Sequence, residues 1–450
     1  MKKRERMDIV NGSLWKNILL FSVPLMLSQM LQFLFNSADT IIVGKFAGES
    51  ALAAVGATGS VVFLLTSLFS GLSTGSNVVI ARFLGKNDEK RVRDSVATSI
   101  AMALLSGIFL TFFGVFSART LLRWMDTPEE IIGLSTLYMR IYFLGVIFLL
   151  LYNFGSAILR SKGDTKRPLY FMILSGAVNV VLNLFMVIVL HMSVAGVAIA
   201  TVASEALSAF LVLGALAKEE DATKLDIRRI YADRSIAFEI LRIGVPAGLS
   251  GVVFALSNVF IQSCINSFDS TAVVAGNAAG ANIEEYVYIG YVGVMQATIT
   301  FTGQCMGAGR TDRIAPIVRV SFFYMCATTI LMSALIYGFG PSLLTLYTDE
   351  QAVIDVGMIR TYWVARLLVL NGILDVFVYS MRGMGYSTLP TLLMIIGICG
   401  VRMIWLAVVF PLKGTLDSIY MCFSVSWIVT LLIEAVLWVF VYRKVRIQSV

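Results

Sequence analysis

"FSVPLMLS", residues 21–28, returns 222 positions later as "IGVPAGLS", residues 243–250, with Pro24 falling on Pro246. At the same offset Gly71 falls on Gly293, Gly85 on Gly307 and Arg91 on Arg313. Further along, "LRSKGDTKRP" (159–168) meets "MRGMGYSTLP" (381–390), which aligns Arg160 with Arg382, Gly163 with Gly385 and Pro168 with Pro390. Each identity is weak alone, but one gapless offset held over about 145 residues marks a chain built from two related halves.

What surrounds these segments is apolar. Hydrophobic residues make up 58% of the 450 positions and charged ones 14%, against about 25% charged in a soluble domain. Uncharged runs such as Ser95 to Ala118, Leu169 to Leu190 and Val320 to Thr348 have the length of a bilayer-crossing helix, about 20 apolar residues. The runs are continuous rather than alternating, which excludes a β-barrel. The sequence therefore predicts an all-α integral membrane protein with twelve spans, at 17–43, 50–77, 95–118, 135–158, 168–190, 194–216, 237–266, 273–302, 316–339, 358–380, 388–411 and 417–441. The basic opening "MKKRER" precedes a first run too long for a signal peptide and lacks a small-residue cleavage site after it, so that run reads as a retained first span.

The net charge of +7 follows from topology. Of 35 Lys and Arg, 27 fall in the N-terminus, the even-to-odd loops and the C-terminus, while Lys45, Arg119, Arg123, Arg140, Arg360 and Lys413 fall on the other side and Arg366 and Arg402 lie inside spans. This is the positive-inside bias, which puts both termini in the cytoplasm of a plasma or inner-membrane protein. No nucleic-acid partner is implied. Cys264, Cys305, Cys326, Cys399 and Cys422 are scattered through apolar runs without metal-type spacing and read as packing residues.

The expected division is an N-terminal six-helix bundle (1–217), a cytoplasmic linker (218–235) in the most polar stretch, and a C-terminal six-helix bundle (236–450). Six spans return each half to the side it started from, so the halves share an orientation. Secondary transporters place a substrate site between repeats of this kind. A primary pump is disfavoured, because no GxxxxGK[ST] phosphate loop occurs. The single histidine, His191, at the outer end of a span, supports no catalytic constellation.

Six carboxylates fall in the interior of the spans: Asp39, Glu205, Glu284, Glu285, Asp375 and Glu434. Against them stand only Arg366 and Arg402. An ionised carboxylate at mid-membrane costs at least ~2.5–3.5 kcal/mol, so such residues face a bundle interior or a cavity. Protonation, a bound cation or a cationic substrate would each answer the excess negative charge.

"ADTIIVGKFAGESALAAVG" (38–56), "ILRSKGDTKRP" (158–168), "NVVLN" (179–183) and the VP opening of each half resemble the multidrug and toxic compound extrusion (MATE) family, nearest the branch typified by the bacterial DNA-damage-inducible F protein. The resemblance covers nearly the whole chain. It implies a V-shaped pair of six-helix bundles that exchange organic, often cationic, compounds for protons or sodium by alternating access. Carried over residue by residue, it implies a cation-coupling set of Asp39, Asn153, Asn179 and Thr201, with Asn183 where that branch often has a second aspartate. One carboxylate with amide neighbours favours a proton over a sodium cage. Asp375, within "LDVFVYSMRGMG" (374–385), resembles the aspartate that the NorM-type branch uses for cation binding, and Glu284, within "ANIEEYVY" (281–288), resembles a family glutamate. These two are expected to form a substrate or second cation site. A sodium ion, if used, is expected at Asp39 or Asp375. The seventh span has no carboxylate between Gly244 and Phe268, which departs from the NorM pattern.

The resulting expectation is an antiporter, not an enzyme, acting as a monomer without a cofactor. Its partners are small organic substrates, a proton or sodium counter-ion and membrane lipid. Two other functions compete. A lipid-linked precursor flippase needs a basic cavity for its phosphates, and only two bases are embedded here. A non-coupled channel or sensor would not need two like-oriented halves.

Overall fold

The computed structural model describes residues 7–345 and 347–448. The basic opening at 1–6 lies outside the described residues. Among the described residues every regular element is helical: α1 (Leu14–Ile42), α2 (Glu49–Gly85), α3 (Glu89–Trp124), α4 (Glu129–Ser161), α5 (Lys166–Leu184), α6 (Ser193–Ala217), α7 (Arg234–Asn266), α8 (Thr271–Gly307), α9 (Ile314–Leu344), α10 (Gln351–Trp363), α11 (Leu368–Gly383), α12 (Thr388–Met394), α13 (Val401–Lys413) and α14 (Leu416–Gln448). A short 3-10 turn joins α10 to α11, and a π-helical turn (Ile395–Gly400) joins α12 to α13, so each pair forms one span. Eleven of the described spans are long and apolar enough to cross a bilayer. The twelfth, α8, has 37 residues but carries Asn277, Asn282, Glu284, Glu285, Gln296 and Gln304.

The repeat reaches the element boundaries. Adding 222 to the bounds of α2 (49–85) gives 271–307, those of α8, and adding it to α4 (129–161) gives 351–383, those of α10 with α11. Local signals set several of these ends. Asp88 caps α3 by accepting from the Arg91 N–H at 3.0 Å, which satisfies one of the free donors of a helix start. Ser270 does the same for α8 through Val273, and Gly414 ends α13 in the left-handed region at φ 62°.

Two compact units result. The first comprises Leu27–Gly248, with Met7 also assigned to it; the second comprises Asp8–Met26 and Leu249–Val450. In the first, α4 packs on α2, α3 and α6 around Leu110, Phe143, Val146 and Leu150. In the second, α8 packs on α9, α10 and α11, and α14 packs on α11 and α13. The early turns of α1 thus belong to the second unit and the early turns of α7 to the first. Glycine permits both approaches. A Cβ on Gly71 would lie 2.3 Å from the Gly248 nitrogen, and one on Gly293 would lie 2.3 Å from the Ser22 oxygen. Such close backbone approach replaces the hydrophobic drive that lipid removes.

The polar segment after α6 is fastened to the first unit. Lys162 Nζ donates to Glu219 Oε2 at 2.5 Å, to Asp221 Oδ2 at 3.2 Å and to Thr223 Oγ1 at 3.2 Å. Burial opposes ionisation of Asp221, but its hydrogen bonds from Thr223 and the Lys162 charge prevail and hold it below the usual carboxylate range. Tyr231 then donates to Asp94 at 2.6 Å.

Candidate functional site

In the first unit, α1 brings Asp39 to α5. Ser37 and Thr40 turn their hydroxyls back onto the Phe33 and Asn36 carbonyls of their own helix, at 2.9 and 3.0 Å. Asp39 instead accepts from Asn183 Nδ2 in a short hydrogen bond. Asn179 and Asn183 lie one turn apart and both are buried, so they share a face of α5. Asn183 Nδ2 also reaches Asn179 Oδ1 at 3.4 Å, while Asn183 Oδ1 is buried without a partner. The α-helix gives way to a π-helical turn within four residues after each contributor, at Val43–Ala47 and Phe185–Val189. Such turns recur at functional sites.

The other two residues of the expected set stand apart from this contact. Thr201 donates to the Val197 carbonyl of its own helix at 3.0 Å, and no hydrogen bond joins Asn153 to Asp39. Two residues without an assigned role in the sequence reading bear on this site. Tyr138, on α4, lies within electrostatic reach of both Asp39 and Glu205, and Glu205 holds one carboxylate oxygen buried without a partner. Neither acid has a basic partner at ion-pair distance among the described residues.

In the second unit the carboxylates separate into two networks. Glu284 is answered by Arg360, whose Nη2 donates to Oε2 at 2.8 Å and whose Nε reaches both carboxylate oxygens at 3.1 and 3.2 Å. Arg360 Nη1 donates to Asn277 Oδ1 at 2.6 Å, and the Tyr420 hydroxyl donates to the same oxygen at 3.1 Å. Arg360 sits at the edge of its predicted span by sequence, and only the fold shows it turned inward onto an acid. Asp375 accepts from Asn371 at 3.1 Å, and Asn371 donates in turn to the Tyr291 hydroxyl at 2.9 Å. Glu434 is fully buried, and neither of its carboxylate oxygens has a hydrogen-bond partner. Its electrostatic neighbours are Arg382 and Asp375. Glu284 and Asp375 therefore belong to different networks.

Comparison with known proteins adds to this geometry. The sequence profile of the MatE family matches residues 24–185 and 246–408, one segment in each half. The probable multidrug resistance protein YoeA of Bacillus subtilis strain 168 is 29% identical over 97% of this chain and 96% of its own length. The probable multidrug resistance protein YpnP of the same strain is 30% identical over 81% of this chain and 83% of its own. Among solved structures, a multidrug resistance MATE family transporter of the MOP superfamily in an outward-facing conformation matches with a TM-score of 0.89 at 23% identity, over 99% of this chain and 100% of that one.

Proposed function

This chain belongs to the MatE family, and on that premise we propose that it is a secondary antiporter of the plasma membrane that exports organic, often cationic, compounds by alternating access. Both termini are cytoplasmic in this reading, following the positive-inside bias, and the two six-helix halves are the moving parts. The observation that carries it is Asp39, a carboxylate in an apolar helix with an amide partner and no counter-ion among the described residues. Asn183 presents its amide nitrogen to Asp39, a hydrogen-bond donor rather than an oxygen ligand. That donor set suits a carboxyl that gains and loses a proton better than it suits a sodium cage.

A proton on Asp39 removes the charge that is costly in the membrane interior. It also replaces one lone pair by an O–H donor, which changes what Asn183 and Asn179 can satisfy. The free oxygen of Asn183 is available to accept from the protonated acid. Two hydrogen-bond arrangements of α1 against α5 follow, one for each protonation state. A drug that binds better to one of them is thereby linked to the proton.

Asp39→Asn keeps the size and most hydrogen bonds while removing the titration. In inverted vesicles with an imposed pH gradient and matched protein levels, accumulation of a cationic dye is expected to fall at least tenfold in this variant, with the dye's dissociation constant changed much less. Transport at the parental rate would remove Asp39 from the coupling step.

A further inference from the structure

We infer that the second unit carries an anion-recognition subsite at Arg402, built for the carboxylate or phosphate of an aromatic organic compound. This rests on the transport reading above and extends its substrate class from cations to aromatic anions and zwitterions. Arg402 lies one residue into α13, just past the π-helical turn at Ile395–Gly400, and is only 3% exposed. Its Nε donates to Ser426 Oγ at 3.1 Å. Its Cζ stands 4.3 Å from the centroid of Phe423 and 5.9 Å from that of Trp427. The two terminal nitrogens have no hydrogen-bond or ion-pair partner among the described residues.

The surroundings of Arg402 sharpen this. Its electrostatic neighbours are the Cys399 and Cys422 thiols and a second cation, Arg360. Arg360 also stands on Phe423, at 5.6 Å from the ring centroid, but its charge is answered by Glu284. No carboxylate stands at ion-pair distance from Arg402 among the described residues. A guanidinium buried on this scale is ordinarily paired, and its fork of N–H donors matches a carboxylate or phosphate in two parallel hydrogen bonds. Phe423 and Trp427 line the guanidinium with aromatic rings, which makes the surroundings apolar and suits an anion that carries an aromatic group.

The repeat makes the contrast with the first unit specific. At the 222-residue offset, Arg360 corresponds to Tyr138, Trp427 to Glu205, Phe423 to Thr201 and Arg402 to Val180, the neighbour of Asn179. Asp39 corresponds to Ile261. The positions of Asp39 and Glu205 in the first half are held by Ile261 and Trp427 in the second. The site around Phe423 thus carries a guanidinium where its repeat counterpart carries acids, while Asp375 and Glu434 of the same unit belong to the separate network described above.

The test uses purified full-length protein in proteoliposomes with an imposed pH gradient, and two probes: ethidium as the aromatic cation and carboxyfluorescein as the aromatic anion. The parent is expected to move both. Arg402→Gln is expected to lower the ratio of anion to cation transport at least tenfold, and Arg402→Lys, which keeps the charge but loses the planar fork, to give an intermediate ratio. Direct binding of carboxyfluorescein, read by fluorescence polarisation, should weaken in the same order, which separates recognition from folding. A parent that moves ethidium but neither binds nor moves carboxyfluorescein overturns the subsite and leaves the transport reading intact. An unchanged ratio in Arg402→Gln also overturns it, as does equal loss of both probes at an unchanged melting temperature. A parent that moves neither probe overturns both. Stabilisation by phosphatidylglycerol that vanishes in Arg402→Gln, with no binding of the soluble anion, would assign the guanidinium to a lipid headgroup instead and likewise overturn the proposal.

Discussion

Arg360 and Glu284 show what a single buried charge demands inside this protein. Both side chains are close to fully buried, at 11% and 8% relative exposure, so neither can call on water if its partner is removed. Arg360→Met is therefore expected to destabilise the second unit by about 3–5 kcal/mol, because it strands a carboxylate in a low-dielectric site. The double variant Arg360→Met with Glu284→Met removes both charges and should recover most of that loss. Melting temperatures in detergent for the single and double variants check this; a double variant no better than Arg360→Met would mean the pair is not coupled as described. Asp39 differs in kind, since its partner is an amide that tolerates both charge states. The contrast separates a carboxylate used to hold helices together from one free to titrate.

Among the helices, α1 and α7 are the elements that the repeat and the packing describe differently. Each is a single unbroken helix of 29 or 33 residues with an internal proline, Pro24 or Pro246, yet each is divided between the two compact units. The close approaches that anchor their early turns rest on glycine. Gly71 faces the Gly248 and Gly244 backbone, and its repeat partner Gly293 faces Ser22 and Met26. The nearest atom is backbone in both cases, the Gly248 nitrogen and the Ser22 oxygen, and cannot withdraw as a side chain would. Gly71→Ala and Gly293→Ala are each expected to cost about 1–3 kcal/mol by overpacking. Gly214→Ala on α6, whose Cβ would meet nothing within 4 Å, should leave stability unchanged or raise it by up to about 1 kcal/mol. Detergent melting curves of the three variants decide the matter, and equal behaviour would sink the close-approach account.

At the level of the whole molecule, the charge asymmetry makes a prediction about orientation. With 27 of 35 basic residues on one set of loops, the α2–α3 turn at Lys86–Asp88 should face the cytoplasm, and the α3–α4 turn at Asp126–Thr127 should face outside. Single cysteines at Asn87 and at Thr127, in a variant lacking the five native cysteines, should react with a membrane-impermeant maleimide from opposite sides. Position 87 should label only in inverted vesicles and position 127 only in intact cells. The reverse pattern would overturn the assigned orientation.

Several of these features are legible in the sequence alone. Continuous apolar runs determined twelve helical spans, because lipid leaves the backbone no other partners than its own. The offset of 222 residues determined two related halves, down to the shared bounds of α2 with α8 and of α4 with α10 and α11. The spacing of Asn179 and Asn183 put them on one face of α5, since i and i+4 are neighbours on any helix. Contacts between distant segments were another matter. That Asn183 rather than Asn153 or Thr201 meets Asp39, that Arg360 turns inward to Glu284, and that Arg402 settles on Phe423 without an acid are outcomes of how helices rotate and tilt against one another. Periodicity restricts which residues share a face of one helix; which face meets which neighbour is set by side-chain packing, and only the tertiary structure decided it.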